Sequence, residues 1–281
     1  MMSERLLLCS DLDRTLLPNG SQPESPEARP RLRRLARRPE LILAYVSGRN
    51  IDLIEAAIEQ YHLPHPDYAL ADVGTSIYRW QGGDWRLWES WRQKIGHDWR
   101  RYRNHDLRPW LDDIEELALQ EETHQHDYKL SYYAMPDLVD SGVLLELRRR
   151  LRALHIDFET VWSLDETSGT GLLDILPASA TKLGAVRFLM QELGLGRHHT
   201  VFAGDSGNDL DVLTSDIPGV LVANATDAVR EQAVREAGAR NRATSLYCAV
   251  GDFMGMNGNY SAGVLEGLAH FHPEARGWMG D

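Results

Sequence analysis

Arg5-Leu6-Leu7-Leu8-Cys9-Ser10-Asp11-Leu12-Asp13-Arg14-Thr15 carries an apolar run, Leu6 to Cys9, that gives way within two residues to two carboxylates two residues apart. A strand that is apolar on every residue must be buried on both faces, which means the interior of a parallel sheet covered by helices. In such sheets ligands bind beyond the carboxyl ends of the strands. The acidic pair therefore falls at the position where chemistry is expected.

The rest of the N-terminal region repeats this grammar. A Pro/Ser/Glu-rich connection from Pro18 to Glu27 leads into an arginine-rich helix, Ala28 to Arg38, which Pro39 ends. Leu41 to Val46 (LILAYV) is a second apolar strand, and Ser47-Gly48-Arg49 turns it into a helix over Ile51 to Gln60. Ile51, Ile54, Ala57 and Ile58 recur in that helix at helical spacing. Tyr68 to Val73 reads as a third strand. The alternation returns late in the chain, with a helix over Lys182–Leu193, a strand over Thr200–Ala203 and a helix from Asn208. A strand over Gly219–Val222 and helices over Ala228–Ala237 and Ala262–Phe271 complete it. The expected class is α/β, a Rossmann-like parallel-sheet core.

Between these halves the pattern breaks. Six of the eight tryptophans (Trp80, Trp85, Trp88, Trp91, Trp99 and Trp110) fall in a more polar stretch. An acidic helix over Trp110–Glu122, a strand over Tyr128–Ala134, a helix over Leu138–Leu154 and strands near Phe158–Trp162 and Leu172–Leu176 follow. Strands and helices without the buried-strand signature point to a small α+β unit inserted in the core. The expected domains are 1–80 and 179–281 for the core and 81–178 for an α+β cap.

Composition narrows the function. Of 281 residues 43% are hydrophobic and 26% charged, as in an ordinary soluble globular protein. The net charge of −12 argues against nucleic-acid binding. Cys9 and Cys248 make no disulfide framework and read as reduced thiols. The N-terminus has too short an apolar run for a signal-peptide core, and no stretch reaches a membrane span. A cytoplasmic protein is expected. Only three of the 30 basic residues are lysines, Lys94, Lys129 and Lys182. Where a compact ammonium is needed, a planar guanidinium substitutes poorly.

Three strand ends carry polar groups that make sense together: Asp11-Leu12-Asp13-Arg14-Thr15, Ser47-Gly48-Arg49, and Gly204-Asp205-Ser206-Gly207-Asn208-Asp209. Singly each has a plain reading, as an acidic loop, a turn, or a helix cap or calcium-like turn. Jointly they bring the carboxylates of Asp11, Asp13, Asp205 and Asp209 to one cleft, which is costly without a cation. Oxygen donors with room for water and phosphate favour magnesium. In that setting Asp11 would attack phosphorus, while Asp13 would protonate the leaving oxygen and then deprotonate water. Ser47 and the Gly48 amide would hold phosphoryl oxygens, and Lys182 would offset the charge that develops there.

These segments resemble the haloacid dehalogenase-like phosphatase superfamily. Asp11 to Thr15 looks like its first motif, Ser47 its second, Lys182 its third and Gly204 to Asp209 its fourth. Within it the chain is similar to the sucrose-phosphate phosphatase family over LILAYVSGR (41–49), DVGTSIY (72–78), YKLSY (128–132), LDILP (173–177), FAGDSGND (202–209) and SAGVLEGLAHF (261–271). The resemblance implies Mg2+ held by Asp11, the Asp13 carbonyl and Asp205, with Asp209 orienting Lys182 or a metal-bound water. It implies phosphate contacts from Ser47, Gly48, Lys182 and Asn208, and sugar-facing groups at Lys129, Ser131 and Asp174. Lys129 and Asp174 read equally as an ordinary strand pair.

The implied function is hydrolysis of a disaccharide phosphate, sucrose 6-phosphate first, through an aspartyl phosphate. The alternatives are mannosylfructose phosphate, glucosylglycerol phosphate or mannosyl-3-phosphoglycerate as substrate, a sugar phosphomutase, or a non-catalytic sugar-phosphate-binding subunit of a synthase. The glycosyltransferase that makes the substrate is the macromolecular partner to expect. Several features stand outside the motifs. Arg14 fills a position where a smaller residue is common, with the cleft or solvent open to it. The tryptophans suit a cap core or its hinge better than sugar stacking. Arg148-Arg149-Arg150-Arg152 reads as a solvated face, Gly251–Asn259 as a mobile loop, and the histidines show no zinc spacing.

Overall fold

The first apolar run forms β1 (Leu6–Ser10), buried at every residue, in a computed structural model that describes residues 5–135, 138, 142–164 and 169–280. The Met1–Glu4 end and residues 139–141 of the expected Leu138 helix lie outside the described residues. Leu7, Leu8 and Cys9 have no solvent exposure, and each leucine so buried contributes roughly 2 kcal/mol. Next come α1 (Ala28–Leu35), β2 (Leu41–Val46), α2 (Ile51–Tyr61) and β3 (Tyr68–Ala71). α2 starts where the Asn50 side chain accepts the Leu53 N–H at 2.9 Å, and it buries Ile54, Ala57 and Ile58. β3 is shorter than the expected strand to Val73, because Asp72 and Val73 turn into left-handed backbone at φ 52 and 61.

A hairpin of β4 (Ser76–Gln81) and β5 (Asp84–Leu87) follows. Then come α3 (Glu89–Gly96), α4 (Asn104–Leu107), β6 (Leu117–Leu119), β7 (Leu130–Ala134), α5 (Val143–Ala153), β8 (Phe158–Leu164) and β9 (Gly171–Pro177). The last stretch holds α6 (Lys182–Leu193), β10 (Thr200–Gly204), α7 (Leu210–Leu213), β11 (Gly219–Leu221), α8 (Asp227–Ala239), β12 (Leu246–Cys248) and α9 (Ser261–Phe271).

Two compact units result, one from residues 88–181 and the other from the segments on either side. In the larger unit the described strands form one sheet in the order β12-β11-β10-β1-β2-β3-β4-β5. All neighbours are parallel through β3, and the β4–β5 hairpin adds on antiparallel. This is the α/β Rossmann-like core. β1 lies between β2 and β10, with Cys9 opposite both Ala44 and Phe202. Its neighbours' carboxyl ends therefore flank the Asp11 loop.

The smaller unit has an antiparallel sheet, β6-β7-β9-β8, over a core that includes Trp99, Leu107, Leu111, Leu147 and Ile175. The acidic helix expected over Trp110–Glu122 does not form. Leu117–Leu119 instead pairs with Tyr132–Ala134. Asp112, Asp113, Glu115 and Glu116 would crowd like charge onto one or two helical turns, while the edge of β7 offers backbone partners. The β4–β5 hairpin and β12 went unread in the sequence, since neither carries a long apolar run. The helix expected from Asn208 is a tight turn over Gly207–Asp209 followed by the single-turn α7.

The stretch Gly251–Asn259, expected as a mobile loop, is tied down. The buried Glu266 carboxylate accepts the Val250 and Gly251 N–H groups at 2.8 and 3.0 Å. The Asn257 N–H donates to Ser25 Oγ at 2.9 Å, and the Asn257 and Asn259 amides both donate to the Pro23 carbonyl.

Candidate active site

β1 and β10 pair so that Ser10 lies opposite Ala203, and the Asp11 N–H continues the ladder to the Ala203 carbonyl at 2.9 Å. Asp11 and Asp205 thereby leave the sheet side by side. Carboxylate oxygens of Asp11, Asp205 and Asp209, all buried, lie within 4.8 Å of one another. Gly204 makes room for this: a Cβ there would come 2.5 Å from Asp209 Cγ. Asp209 is fully buried, and its Oδ2 accepts the Asp205 and Ser206 N–H groups at 3.1 Å each.

Lys182, the first residue of α6, is 3% exposed. Its ammonium donates to Asp11 Oδ1 at 2.9 Å, Asp209 Oδ1 at 2.7 Å and Asn208 Oδ1 at 3.0 Å. Three donors meet three acceptors. Burial works against the charge on Lys182, but the Asp11 and Asp209 carboxylates outweigh it and push its pKa up. One ammonium cannot neutralise the whole group. Burial, with Asp209 and Asp205 adding repulsion, pushes Asp11 up to about 8 against the pull of Lys182. Burial and Asp209 push Asp205 up to about 7, against Arg14, Lys182 and Thr15. A buried donor set made of hard oxygens and short of positive charge fits a divalent cation such as Mg2+.

Asp13 stands apart from that cluster. Its two oxygens take Arg49 Nε and Nη2 at 2.8 and 2.7 Å, and Asn19 Nδ2 donates to Oδ1 at 2.7 Å. Burial would raise its pKa, but the Arg49 fork and Asn19 prevail and hold it below the usual carboxylate range. Of the four carboxylates expected in one cleft, Asp11, Asp205 and Asp209 lie within 4.8 Å of one another, while Asp13 is held by Arg49. Arg49 takes part because the turn after β2 is short enough to present both ends; its position right after Ser47-Gly48 was the available signal. Ser47 is buried, with its Oγ accepting the Arg49 N–H at 3.2 Å, and Gly48 is exposed beside it. Thr15 joins the strand ends, its hydroxyl 3.4 Å from Asp11 Oδ2 and 3.3 Å from Asp205 Oδ1. Arg14 turns to the cluster, with Nε 3.3 Å from Asp205 Oδ2.

In the smaller unit Ser131 and Asp174 are cross-strand partners. Ser131 Oγ donates to Asp174 Oδ1 at 2.5 Å, and the Lys129 ammonium lies 3.7 Å from Asp174 Oδ2. Trp91 and Trp99 are fully buried there. Trp80 and Trp85 belong to the larger unit, where they stack with His65 at 3.7 and 5.0 Å between ring centroids. The arginine run is the solvated face expected of it, with Arg148, Arg149 and Arg152 exposed, and it carries ion pairs: Arg149 and Arg150 pair with Glu146, Arg150 also with Asp113, and Arg148 donates to Thr160 Oγ1.

A family model described as Sucrose-6F-phosphate phosphohydrolase matches residues 4–272. A protein of Nitrosococcus oceani described only as a HAD-like hydrolase is 54% identical over 99% of this chain and 75% of its own length. A mannosylfructose-phosphate phosphatase of Agrobacterium fabrum is 31% identical over 82% of this chain and 83% of its own. The sucrose-phosphatase of Synechocystis, solved with sucrose and phosphate, superposes with a TM-score of 0.71 at 27% identity, covering 95% of this chain and 98% of that one. The chain belongs to the sucrose-6F-phosphate phosphohydrolase family and is a haloacid dehalogenase-like phosphoric monoester hydrolase.

Proposed function

We propose that this phosphatase releases phosphate from a phosphorylated disaccharide, sucrose 6-phosphate first, through an aspartyl phosphate on Asp11. The observation that carries the reading is Lys182, buried and bridging Asp11 and Asp209 beside Asp205. Asp11 Oδ attacks phosphorus as the ester P–O bond breaks, and Asp13, which must first take up a proton against the Arg49 and Asn19 contacts that favour its charged form, gives that proton to the departing sugar oxygen. Asp13 then takes a proton from the water that attacks the acyl phosphate, freeing inorganic phosphate and Asp11. Asp13 Oδ1 takes two donors and Oδ2 only one, so Oδ2 is the oxygen with a lone pair open for these proton transfers. Lys182 stabilises the charge on the phosphoryl oxygens, and Asp209 holds that lysine in place. Ser47, the Gly48 amide and Asn208 supply further phosphate contacts.

Asp11, the Asp13 carbonyl and Asp205 would hold Mg2+, with Asp209 behind them. When bound, the ion neutralises charge on the phosphoryl group. Lys129, Ser131 and Asp174 form a polar set suited to sugar hydroxyls. In this reading the smaller unit is the cap, and its sequence is where substrates are told apart.

The likeness to a mannosylfructose-phosphate phosphatase favours mannosylfructose phosphate as the second candidate. A panel of sugar phosphates, assayed for phosphate release with Mg2+ and with chelator, tests the reading. Sucrose 6-phosphate should give the highest kcat/KM, and activity should vanish with chelator and in Asp11→Asn. A higher kcat/KM for mannosylfructose phosphate would move the assignment to it. Full activity in chelator or in Asp11→Asn would end the mechanism.

A further inference from the structure

Arg14 sits between the two acidic residues of the first motif and Thr15, in left-handed backbone at φ 57. A non-glycine residue pays strain for that conformation. Its backbone is clamped at both ends: the N–H donates to Asn19 Oδ1 at 2.8 Å, and the carbonyl accepts from Asn224 Nδ2 at 2.7 Å. So held, the side chain brings Nε to 3.3 Å from Asp205 Oδ2. That nitrogen is buried yet makes no hydrogen bond. The contact is charge without a directional bond, the weaker kind of ion pair.

The other oxygens of the cluster are better committed. Asp11 Oδ1 and Asp209 Oδ1 hold the Lys182 ammonium, and Asp209 Oδ2 takes two backbone N–H groups. Asp205 Oδ1 takes the Thr15 hydroxyl. Arg14 is the charged partner that can leave the cluster without disturbing Lys182 or the backbone, whereas Asp11 Oδ2 and Asp205 Oδ1 share the neutral Thr15 hydroxyl. The departing group also has a route: the Arg14 side chain is 32% exposed, against 5% for Asp205.

We propose that Arg14 is the cluster's built-in counter-ion, neutralising Asp205 in the metal-free enzyme and competing with the divalent cation for that carboxylate. The inference rests on the reading of the cluster as a Mg2+ site. It assigns a purpose to the strained arginine: the metal-free site keeps a counter-charge beside Asp205, at the expense of metal affinity.

Titration calorimetry with Mg2+ on wild type, Arg14→Gln, Arg14→Gly and Arg14→Lys, with no substrate present, tests this directly. Glycine accepts the positive φ without strain, so it removes the cation while protecting the fold. Gln and Gly should each lower the Mg2+ Kd by roughly tenfold, as expected for removing one nearby positive charge, and Lys should stay near wild type. Melting in chelator adds a second readout, in which Gln should melt below wild type. An unchanged or higher Kd in both neutral variants would overturn the inference while leaving the metal reading intact. A wild-type protein that took up no Mg2+ would overturn both.

Discussion

At the scale of single residues, Lys182 carries the clearest chemical demand in the molecule. Its three donors meet acceptors on Asp11, Asn208 and Asp209 that diverge from one point. An ammonium can satisfy that arrangement; a planar guanidinium presents its donors in a fork and needs more volume. Lys182→Arg should therefore lower kcat by about a hundredfold or more, measured as phosphate release at saturating Mg2+. A kcat equal to wild type would reduce the rarity of lysine in this chain to chance. The convergence of Asp11, Asp205, Asp209 and Lys182 was legible in the sequence, because strand ends in a parallel sheet leave few places for these groups to go. The Asp13–Arg49 pair was not. Two charged neighbours of one cleft can face the cation site or each other, and only the folded turn decides which.

At the scale of elements, periodicity found the buried strands and failed where elements rest on partners. β1, β2 and β10 could be read because every residue in them is buried. β6 could not, since its Leu117 and Leu119 are consistent with a helix until β7 is present to pair with them. The Gly251–Asn259 stretch misled through its glycines, which suggested freedom, while the residue that anchors it sits on α9. Glu266 accepts the Val250 N–H, the Gly251 N–H and the Tyr247 hydroxyl. Burial and that carboxylate push the Tyr247 pKa up to about 12. Glu266→Gln turns an amide N–H2 toward these donors, so it should cost about 2 kcal/mol of stability and bring the Tyr247 titration down toward that of an ordinary tyrosine. Denaturant unfolding and an absorbance titration of the phenol measure the two effects. Unchanged stability would show that the loop is held by its Ser25 and Pro23 bonds alone.

At the scale of the whole molecule, the alternation of buried strands and helices was enough to read the Rossmann-like core, and the break in that alternation falls where the second compact unit, residues 88–181, begins. Which sugar the enzyme serves was not legible to the same degree. The phosphoryl chemistry is written in charged residues at sheet ends, where physics leaves few options. The groups proposed to discriminate sugars, Lys129, Ser131 and Asp174, also serve as ordinary cross-strand partners. The net charge of −12 includes the buried acidic cluster, whose charge a bound divalent cation would offset. The proposed reaction turns on one atom, the Asp11 carboxylate oxygen that would attack phosphorus. Mixing the enzyme with Mg2+ and sucrose 6-phosphate, quenching in acid within a single turnover and mapping peptide masses tests it most directly. One added phosphoryl group is expected on the peptide that contains Asp11, and none in Asp11→Asn. Rapid phosphate release with no such adduct at any quench time, or an adduct on another residue, would contradict it.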